Sequence, residues 1–583
     1  MWSRLVGSYQ LMCAFYVLAI FLLPWLYEWR MQGGLVRMDY YLLWGLGILS
    51  WLFTWLKNVL PEPKYIFPVL LLFGYLSFSV FRVYPDDGSL QVPITLFCCL
   101  GIFSFLSAFL PKISFWLQSV LIASCAVQVL IAFGQLSQHG SNTILVRGQF
   151  YNSGYLGNYL AALVPLIFFN AFRNEGNARM TRIICLMLLA AGVFLLFRVA
   201  ARAAIVGSLF GCLTSAVFLY KKRFGFSITR LVLLFSILFL LTVGISLLVK
   251  INSAMGRLTI YKISWQVFRD HFLFGVGPNR FAAVYNNYQS SYFRYGQKPL
   301  EIEMLATNTL EAFNIPMQFL VEYGLAGLIV LAGVVFFIRR NLKNDSLFSI
   351  SLQSGAGHIG CLAAIFISGL FSNPIHISPI QLLTTIHLAA IFSSGDTCNK
   401  PVRMPGYVSA LSLGMLLLLV GIYSCRQLDA EWTWRKAARS ALYDGFEEAK
   451  EGYMAAAKAL GANGAFLFNY GAEAAIAGEL LIANEFLEKS RRYLSVNNIY
   501  VYLGDVYLEQ GLFEKAEQNY LHAVFMVPSA IYPKYKLIEC YKRMGNIILA
   551  RKWSEQLLNY PVKVRSAVAD ELRSEVRNNL DNL

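Results

Sequence analysis

The feature that most constrains the fold is a series of apolar runs, each about as long as a membrane is thick. A helix needs about 20 mostly apolar residues to cross the hydrocarbon core of a bilayer. Thirteen runs come close to this length, at residues 10–27, 38–56, 65–82, 92–110, 113–135, 154–171, 181–199, 202–220, 230–249, 316–338, 350–371, 374–394 and 405–424. The pattern predicts an all-α, polytopic membrane helical bundle of about 12–13 spans.

The composition agrees with a membrane location. Hydrophobic residues make up 57% of the chain and charged residues 14%, whereas soluble domains have about 45–50% apolar and about 25% charged residues. The first run, 10–27, has no convincing cleavage site after it and is interpreted as a retained span. The ten cysteines are scattered and have no metal-binding spacing such as Cys-x-x-Cys, so they predict no metal site.

The loop charges predict the orientation. A net charge of +16 could indicate nucleic-acid binding, but cytoplasmic loops of membrane proteins carry an excess of Lys and Arg. Alternate loops hold most of these residues, namely Lys57, Lys64, Lys112, Arg173, Arg179, Arg182, Lys221, Lys222, Arg223, Arg230, Arg339, Arg340, Lys343, Lys400 and Arg403. The N-terminus is therefore predicted to be cytoplasmic, and segment 250–315 and the C-terminal region extracytoplasmic.

Residues 256–281, GRLTIYKISWQVFRDHFLFGVGPNRF, are basic although they lie on the predicted outer side. Basic residues placed against the usual bias suggest an anionic ligand. Leu258, Tyr261, Trp265 and Phe268 recur at helical spacing, which predicts an amphipathic helix at the membrane interface. The Gly-Val-Gly-Pro that follows is interpreted as a turn, because neither a strand nor the other glycines of a nucleotide loop accompany it.

After Cys425 the composition becomes charged and alanine-rich, and the sequence repeats. Gly445, Gly478, Gly511 and Gly545 are spaced 33, 33 and 34 residues apart. A period of about 34 residues is typical of tetratricopeptide repeats, in which a glycine allows the turn between paired helices. We expect a membrane domain at 1–425 and a soluble tetratricopeptide-repeat solenoid at 426–583. Such an array can bind a protein partner or can act as a structural cap.

Four stretches together resemble the O-antigen ligase and O-antigen polymerase superfamily, which includes bacterial protein O-oligosaccharyltransferases. They are RGQFYNSGYLGNYLAALVPL at 147–166, ARAAIVGSLFG at 201–211, the segment 256–281, and FNIPMQFLVEYGLAGLIVL at 313–331. Each motif is weak alone, but their order and spacing follow the family's. The resemblance covers roughly 140–395, and family members that end in tetratricopeptide repeats are familiar.

The resemblance implies transfer of a glycan from a polyprenyl diphosphate to an acceptor hydroxyl at the outer face of the inner membrane, without metal or nucleotide. Arg202 and Arg257 match arginines of the family's motifs, and they are the first candidates to hold the diphosphate and to act in catalysis. Guanidinium groups suit this task because they bind phosphate oxygens in a bidentate manner. Further candidates for binding the diphosphate or glycan are Arg147, Arg198, Arg280 and Asn314.

The general base departs from the family pattern. The family usually has a His before Asn314, but this chain has Phe313, which cannot accept a proton. Glu311 is the nearest carboxylate and could act as the base if burial raises its pKa. His271 and His376 also lie on the predicted outer side. Glu322, which matches a family glutamate, could pair with a buried arginine or be structural.

The sequence leaves three functions open. The first is a ligase that moves a lipid-linked glycan onto the lipid A core or onto Ser or Thr of a protein. The second is a polymerase that joins lipid-linked repeat units, and the third is a non-enzymatic transporter or scaffold. The expected partners are the lipid-linked glycan, its acceptor, membrane lipids and a protein bound by the repeat array, but not nucleic acid. The expected location is the bacterial inner membrane, with the repeats in the periplasm.

Overall fold

A computed structural model describes residues 2–31, 35–57, 63–83, 90–140, 145–173, 179–224, 251–296, 298–343, 355–393, 406–563 and 566–580. Within these ranges the backbone forms helices and connecting loops, without a β-strand. The all-α prediction is therefore confirmed.

The N-terminal half of the membrane part contains a first group of helices. They are α1 (Trp2–Met31), α2 (Met38–Leu56), α3 (Pro63–Val83), α4 (Gln91–His139), α5 (Ser153–Ala161), α6 (Val164–Phe172), α7 (Arg179–Arg198) and α8 (Arg202–Phe224). Their apolar side chains share one buried core with the later membrane helices, in which, for example, Tyr16 stacks on Phe105 with ring centroids 5.5 Å apart.

The segment predicted to lie outside the membrane and the remaining membrane helices follow. They are α9 (Ile251–Asp270), α10 (Phe281–Arg294), α11 (Leu300–Leu305), α12 (Ile315–Lys343), α13 (Ala356–Gly369), a 3₁₀ turn (Pro374–His376), α14 (Ser378–Ser393) and α15 (Gly406–Tyr443).

Twelve of the thirteen predicted spans coincide with described helices. Among the described residues, eight helical segments are long and apolar enough to cross a membrane. Three shorter apolar helices lie at Leu71–Val83, Ala356–Gly369 and Ser378–Phe392, and the predicted run 38–56 is α2. The thirteenth, 230–249, lies outside the described residues. The chain is thus a multi-pass membrane protein.

The runs 92–110 and 113–135 were predicted as separate spans. Both lie in the helical stretch α4, which has 49 residues, and within it Gln91–Phe109 and Trp116–His139 are each long and apolar enough to cross a membrane. A straight helix of this length would extend about 73 Å. Instead, both ends of α4 lie near the α1–α2 connection. Gln91 accepts a hydrogen bond from Arg37 at 2.6 Å, and Gln135 accepts one from the backbone N–H of Arg147, whose guanidinium is 3.5 Å from Glu28. The two halves of α4 therefore run in opposite directions.

The predicted span 154–171 is interrupted in the middle. Pro165 occupies the first turn of α6 and has no N–H to donate to the preceding turn, so α5 and α6 are separate helices. The carbonyl of Ala162 at this break lies 3.0 Å from Nε2 of the buried His387, which donates to it. Because a carbonyl only accepts, Nδ1 of neutral His387 is the acceptor in its 2.9 Å contact with His358. The histidine pair thus satisfies the backbone at the break.

The predicted domain boundary at 425 falls inside α15, which runs without interruption from the last membrane span into the C-terminal region. A buried ion pair fastens this transition. Arg37, just before α2, donates from its Nε to Glu431 at 2.5 Å and from its backbone N–H at 2.8 Å, and the Glu431 side chain is fully buried. The membrane helices and the C-terminal helices are therefore joined covalently and by a buried charge pair.

The C-terminal region is an array of paired helices. They are α16 (Phe446–Leu460), α17 (Gly464–Ile476), α18 (Leu480–Ser490), α19 (Asn497–Glu509), α20 (Phe513–Met526), α21 (Ile531–Arg543), α22 (Ile547–Asn559) and α23 (Ala567–Leu580). The four periodic glycines lie in turns with positive φ, between +72° and +108°, a conformation that disfavours residues with a Cβ. Each glycine therefore stands where the backbone requires one.

Candidate functional site

The short connection 370–373, between α13 and the 3₁₀ turn, is the point on which several distant segments converge. Asn314, at the start of α12, donates from Nδ2 to the carbonyl of Leu370 at 2.9 Å. Asn158 of α5 donates to the hydroxyl of Ser372 at 3.2 Å. The connection therefore ties α5 to α12, although their sequences are far apart.

Gln318 of α12 organises a buried polar network next to this connection. Its Oε1 accepts from the backbone N–H of Ala312 at 3.2 Å and from Asn373 at 2.9 Å, so its Nε2 must point the other way. The Nε2 donates to Glu322 at 3.1 Å and to Nε2 of His376 at 3.0 Å. Since an amide nitrogen only donates, His376 accepts through Nε2 and carries its proton on Nδ1.

His376 is held neutral by its surroundings. Burial lowers its pKa to about 4, and the nearby positive charge of Arg30 adds to this effect. Arg30 lies 3.4 Å from the buried carboxylate of Asp39 and packs over the ring of Tyr40. Asp39 also accepts a hydrogen bond from Ser378 at 2.6 Å. A neutral His376 can accept a proton only weakly near pH 7.

Glu311 lies half-buried on the other side of Asn373. Burial raises its pKa to about 7, while a hydrogen bond from Asn373 acts in the opposite direction. Tyr27 of α1 and Tyr155 of α5 lie close enough to interact with its charge, and their rings meet edge to face at 5.6 Å. A carboxylate with a pKa near neutrality can exchange protons at physiological pH, which is the property that a general base needs.

Arg202 and Arg257 are close enough for their charges to interact. Arg202 is the first residue of α8, and Arg257 lies half-buried in the second turn of α9. Burial lowers the pKa of Arg257; the hydroxyl of Tyr261 opposes this shift, and the positive charge of Arg202 reinforces it. Within the part of the chain that the structure describes, no carboxylate forms an ion pair with Arg257. The positive charges of Arg202 and Arg257 therefore repel each other.

Phe313 and Asn314 connect this pair of arginines to the start of α12. Phe313 has a positive φ of +51°, and its carbonyl accepts a 3.4 Å hydrogen bond from Tyr261. Asn314 caps α12, because its Oδ1 accepts from the backbone N–H of Met317 at 2.8 Å while its Nδ2 is bonded to Leu370. Both polar atoms of the Asn314 side chain are thus engaged in holding the fold.

Two other predicted arginines, Arg147 and Arg198, belong to the membrane part. Arg147 pairs with Glu28 at 3.5 Å, and it donates to the carbonyl of Tyr151 at 3.2 Å. Glu28 directly follows Tyr27, whose hydroxyl interacts with the charge of Glu311. Arg147 is therefore linked to Glu311 only indirectly, through α1. Arg198 is exposed at the end of α7, one helical turn before Arg202.

Arg280 and His271 have different positions. The guanidinium of Arg280 donates to the backbone carbonyl of Arg492 at 3.3 Å, which is part of the C-terminal array. His271 is exposed in the turn that follows α9.

The Gly-Val-Gly-Pro stretch forms a turn, as predicted, and packs directly on the backbone of α12. Gly275 has φ +67°, and a Cβ at this position would collide with the backbone of Glu322. The backbone N–H of Gly277 donates to the carbonyl of Glu322 at 2.9 Å, and that of Asn279 donates to its carboxylate at 3.1 Å. Gly324, at φ +64°, interrupts α12 at the same level. Glu322 thus anchors the turn rather than pairing with an arginine.

A cavity of about 490 Å³ adjoins the Gln318 network. Both polar and apolar side chains line it, many of them from α4 and α14, and among the described residues no Lys or Arg borders it. The polar lining residues are Tyr40, Gln91, Thr95, Asn279, Gln318, Glu322, Asn373, His376, Gln381, Thr384 and Thr385. A cavity of this size and polarity can hold part of an amphiphilic molecule.

The sequence did not single out Gln318, Asn373 or Arg30, although all three surround Glu311 and His376. Each is a polar residue at the end of an apolar run, and polar groups there must find partners. A polar residue at the end of an apolar run is visible in the sequence, but the sequence does not show which distant segments supply its hydrogen-bond partners.

Residues 184–332 match a protein-family model described as O-antigen ligase. No curated protein matches the chain. The matched segment contains Arg198, Arg202, Arg257, Arg280, Glu311 and Asn314, whereas Arg147 precedes it. Together with the apolar helices, this match shows a multi-pass membrane protein with an O-antigen ligase domain at residues 184–332, and it supports, in general, a membrane glycosyltransferase of the ligase or polymerase kind.

Proposed function

We propose that the protein transfers a glycan from a polyprenyl diphosphate to an acceptor hydroxyl at the outer face of the cytoplasmic membrane. The observation that supports this proposal is that the charges of Arg202 and Arg257, which come from different helices, interact with each other. Breaking the bond between a sugar and a diphosphate leaves negative charge on the diphosphate. Two guanidinium groups stabilise that charge by bidentate hydrogen bonds.

The electrostatics of Arg257 favour an anionic ligand. Its pKa is lowered by burial and by the charge of Arg202, so the folded protein bears a repulsion that an anion between the two groups would relieve. The match to the O-antigen ligase family supports a lipid-linked glycan as the source of this anion.

Glu311 is the proposed general base. In the reaction, the acceptor oxygen forms a bond to the anomeric carbon, and the bond between this carbon and the diphosphate oxygen breaks. The electron pair of that bond leaves with the diphosphate, which Arg202 and Arg257 hold, and the hydroxyl proton passes to Glu311. Burial of Glu311 supports this role, because its pKa of about 7 lets it accept a proton at neutral pH and release it afterwards.

The direct test uses purified protein in proteoliposomes with a lipid-linked oligosaccharide and a hydroxylated acceptor. We expect wild-type protein to release polyprenyl diphosphate in step with acceptor glycosylation. Arg202→Ala and Arg257→Ala should each abolish transfer without reducing expression. Activity within a few-fold of wild type in either variant would remove that residue from the mechanism.

A deletion strain identifies the acceptor. Loss of glycoprotein signal alone would indicate transfer to protein, and loss of capped lipid with intact glycoproteins would indicate a lipid ligase. Shortened glycan chains would indicate a polymerase. If the deletion changes none of these products, the transferase proposal is wrong.

A further inference from the structure

The C-terminal array contacts the segment that leads into Glu311. Asn308 donates from Nδ2 to Oδ1 of Asn497, the first residue of α19, at 2.8 Å. In return, the backbone N–H of Asn497 donates to Oδ1 of Asn308 at 3.0 Å. This reciprocal pair fastens the chain three residues before Glu311 to the array.

Asn286 of α10 makes a second connection. Its Oδ1 accepts from the backbone N–H of Thr309 at 2.9 Å, and its Nδ2 donates to the carbonyl of Ser495 at 2.6 Å. The Asn286 side chain is completely buried. One amide therefore bridges the segment before Glu311 and the array.

Gln289 repeats this arrangement one turn later. Its Nε2 donates both to the carbonyl of Thr307 at 2.9 Å and to the carbonyl of Met526 at 2.7 Å. Met526 is the last residue of α20, so the two bridges reach successive helix pairs of the array.

Asn287 adds a contact between α10 and the array. Its Oδ1 accepts from Ser495 Oγ at 2.8 Å, from the hydroxyl of Tyr500 at 2.6 Å and from His522 Nε2 at 3.0 Å. Buried polar groups that are all paired specify one relative position, because any displacement leaves groups without partners. The interface between α10 and the array can therefore fix the position of one relative to the other.

We infer that the array is a positioning element of this enzyme, which holds segment 306–310 through Asn286, Gln289 and Asn497 and so sets the place of Glu311. The inference rests on the proposed function only for the role of Glu311. A protein partner of the array remains a separate prediction.

The groups that face Glu311 allow the effect of the array to be isolated. Tyr27, Tyr155 and Glu322 interact with its charge and lie on α1, α5 and α12, and Arg30 lies beyond them on α1. All of these groups belong to the membrane part. A substitution in the array thus changes the titration of Glu311 through its position rather than through a new charge.

The test compares three variants of the full-length protein. Asn286→Ala removes the bridge to Thr309 and Ser495, and Asn497→Ala is a milder change on the array side. Asn469→Ala is the matched control, because Asn469 accepts hydrogen bonds from Trp434 and Tyr453 inside the array. Amide hydrogen exchange of residues 306–312 and the pH dependence of transfer are measured for each.

In Asn286→Ala we expect the amides of 306–312 to exchange about tenfold faster, as loss of one or two net hydrogen bonds implies. Transfer should slow by about tenfold with little change in donor KM, because misplacing a catalytic group lowers kcat. The midpoint of the pH profile should move below its value of about 7, since Glu311 gains water. Asn497→Ala should act in the same directions more weakly, and Asn469→Ala should leave 306–312 and the midpoint unchanged.

Unchanged exchange of 306–312 in Asn497→Ala would overturn the inference, whatever the result for Asn286→Ala, because Asn497 belongs to the array and Asn286 does not. So would faster exchange with an unaltered rate and midpoint, or an equal effect of Asn469→Ala. Failure of the proposed function is a different result, namely wild-type transfer by Arg202→Ala, and the exchange measurement does not depend on it.

Discussion

The pH dependence of transfer should report the ionisation of Glu311. A general base works only when it is deprotonated, so the rate should rise with pH until Glu311 is ionised. With a pKa of about 7, the carboxyl is roughly 91% ionised at pH 8 and roughly 9% ionised at pH 6. The rate should therefore fall about tenfold between pH 8 and pH 6.

An ordinary carboxyl would behave differently. With its usual pKa of 4.5, it would change ionisation by only about 3% over the same interval. The size of the predicted change thus depends on the burial of Glu311, which the structure supplies.

The assay follows kcat/KM for the acceptor between pH 5.5 and pH 8.5 in proteoliposomes, with saturating lipid-linked oligosaccharide. Glu311→Gln should lower the rate by about 10²–10⁴-fold and abolish the pH dependence, because an amide cannot accept the proton. Asn373→Ala should raise the midpoint, since the hydrogen bond from Asn373 favours the charged carboxylate.

Two results would refute this reasoning. One is a rate that stays constant between pH 6 and pH 8 in the wild-type protein. The other is Glu311→Gln with activity within a few-fold of wild type, which would mean that the acceptor hydroxyl needs no base from this position.

Three further substitutions test other parts of the structure. Arg257→Lys keeps the charge but loses the planar fork, so transfer should fall at least about tenfold while the melting temperature stays unchanged. Gly275→Ala should lower stability by about 2 kcal/mol or more, measured by thermal unfolding in detergent, because φ is +67° and the added Cβ meets α12. Arg37→Ala should cost about 3–5 kcal/mol, seen in the same assay, because it leaves the buried carboxylate of Glu431 without its partner.

Matched controls separate these effects from general damage. Arg269→Ala removes an arginine from the same helix as Arg257, but its side chain is 71% exposed, so transfer should stay near wild type. Gly333→Ala adds a Cβ in open space within α12 and should leave stability unchanged or slightly higher. A loss of activity in Arg269→Ala equal to that in Arg257→Lys would argue against a specific diphosphate site.

Much of the secondary structure could be predicted, because apolar runs and repeat periods are local signals. The helical spacing of apolar residues in 256–270 predicted a helix, and the structure has α9 there. The four periodic glycines lie in the expected turns. The local signal failed where tertiary contacts decide the path of the chain. Nothing in the sequence around 425 indicated that α15 crosses the predicted domain boundary.

The candidate site was predictable only in part, for the same reason. A guanidinium at the end of a span or at the start of an outer loop is visible in the sequence, so Arg202 and Arg257 could be named, but the interaction of their charges depends on how the helices are arranged in space. The prediction for Glu322 allowed a buried arginine as partner, whereas the structure pairs it with Gln318 and the backbone after Gly277.

By itself, the sequence determined that the chain lies largely in a membrane and that it is helical, and it led us to propose which arginines hold a diphosphate. These properties follow from the number, length and charge of local segments. Only the tertiary structure decided that Glu311 is buried enough to have a pKa of about 7. It also decided that the C-terminal array forms hydrogen bonds with the segment that precedes Glu311. Burial and buried hydrogen bonds arise between residues as far apart as 308 and 497, and no local pattern encodes such a pairing.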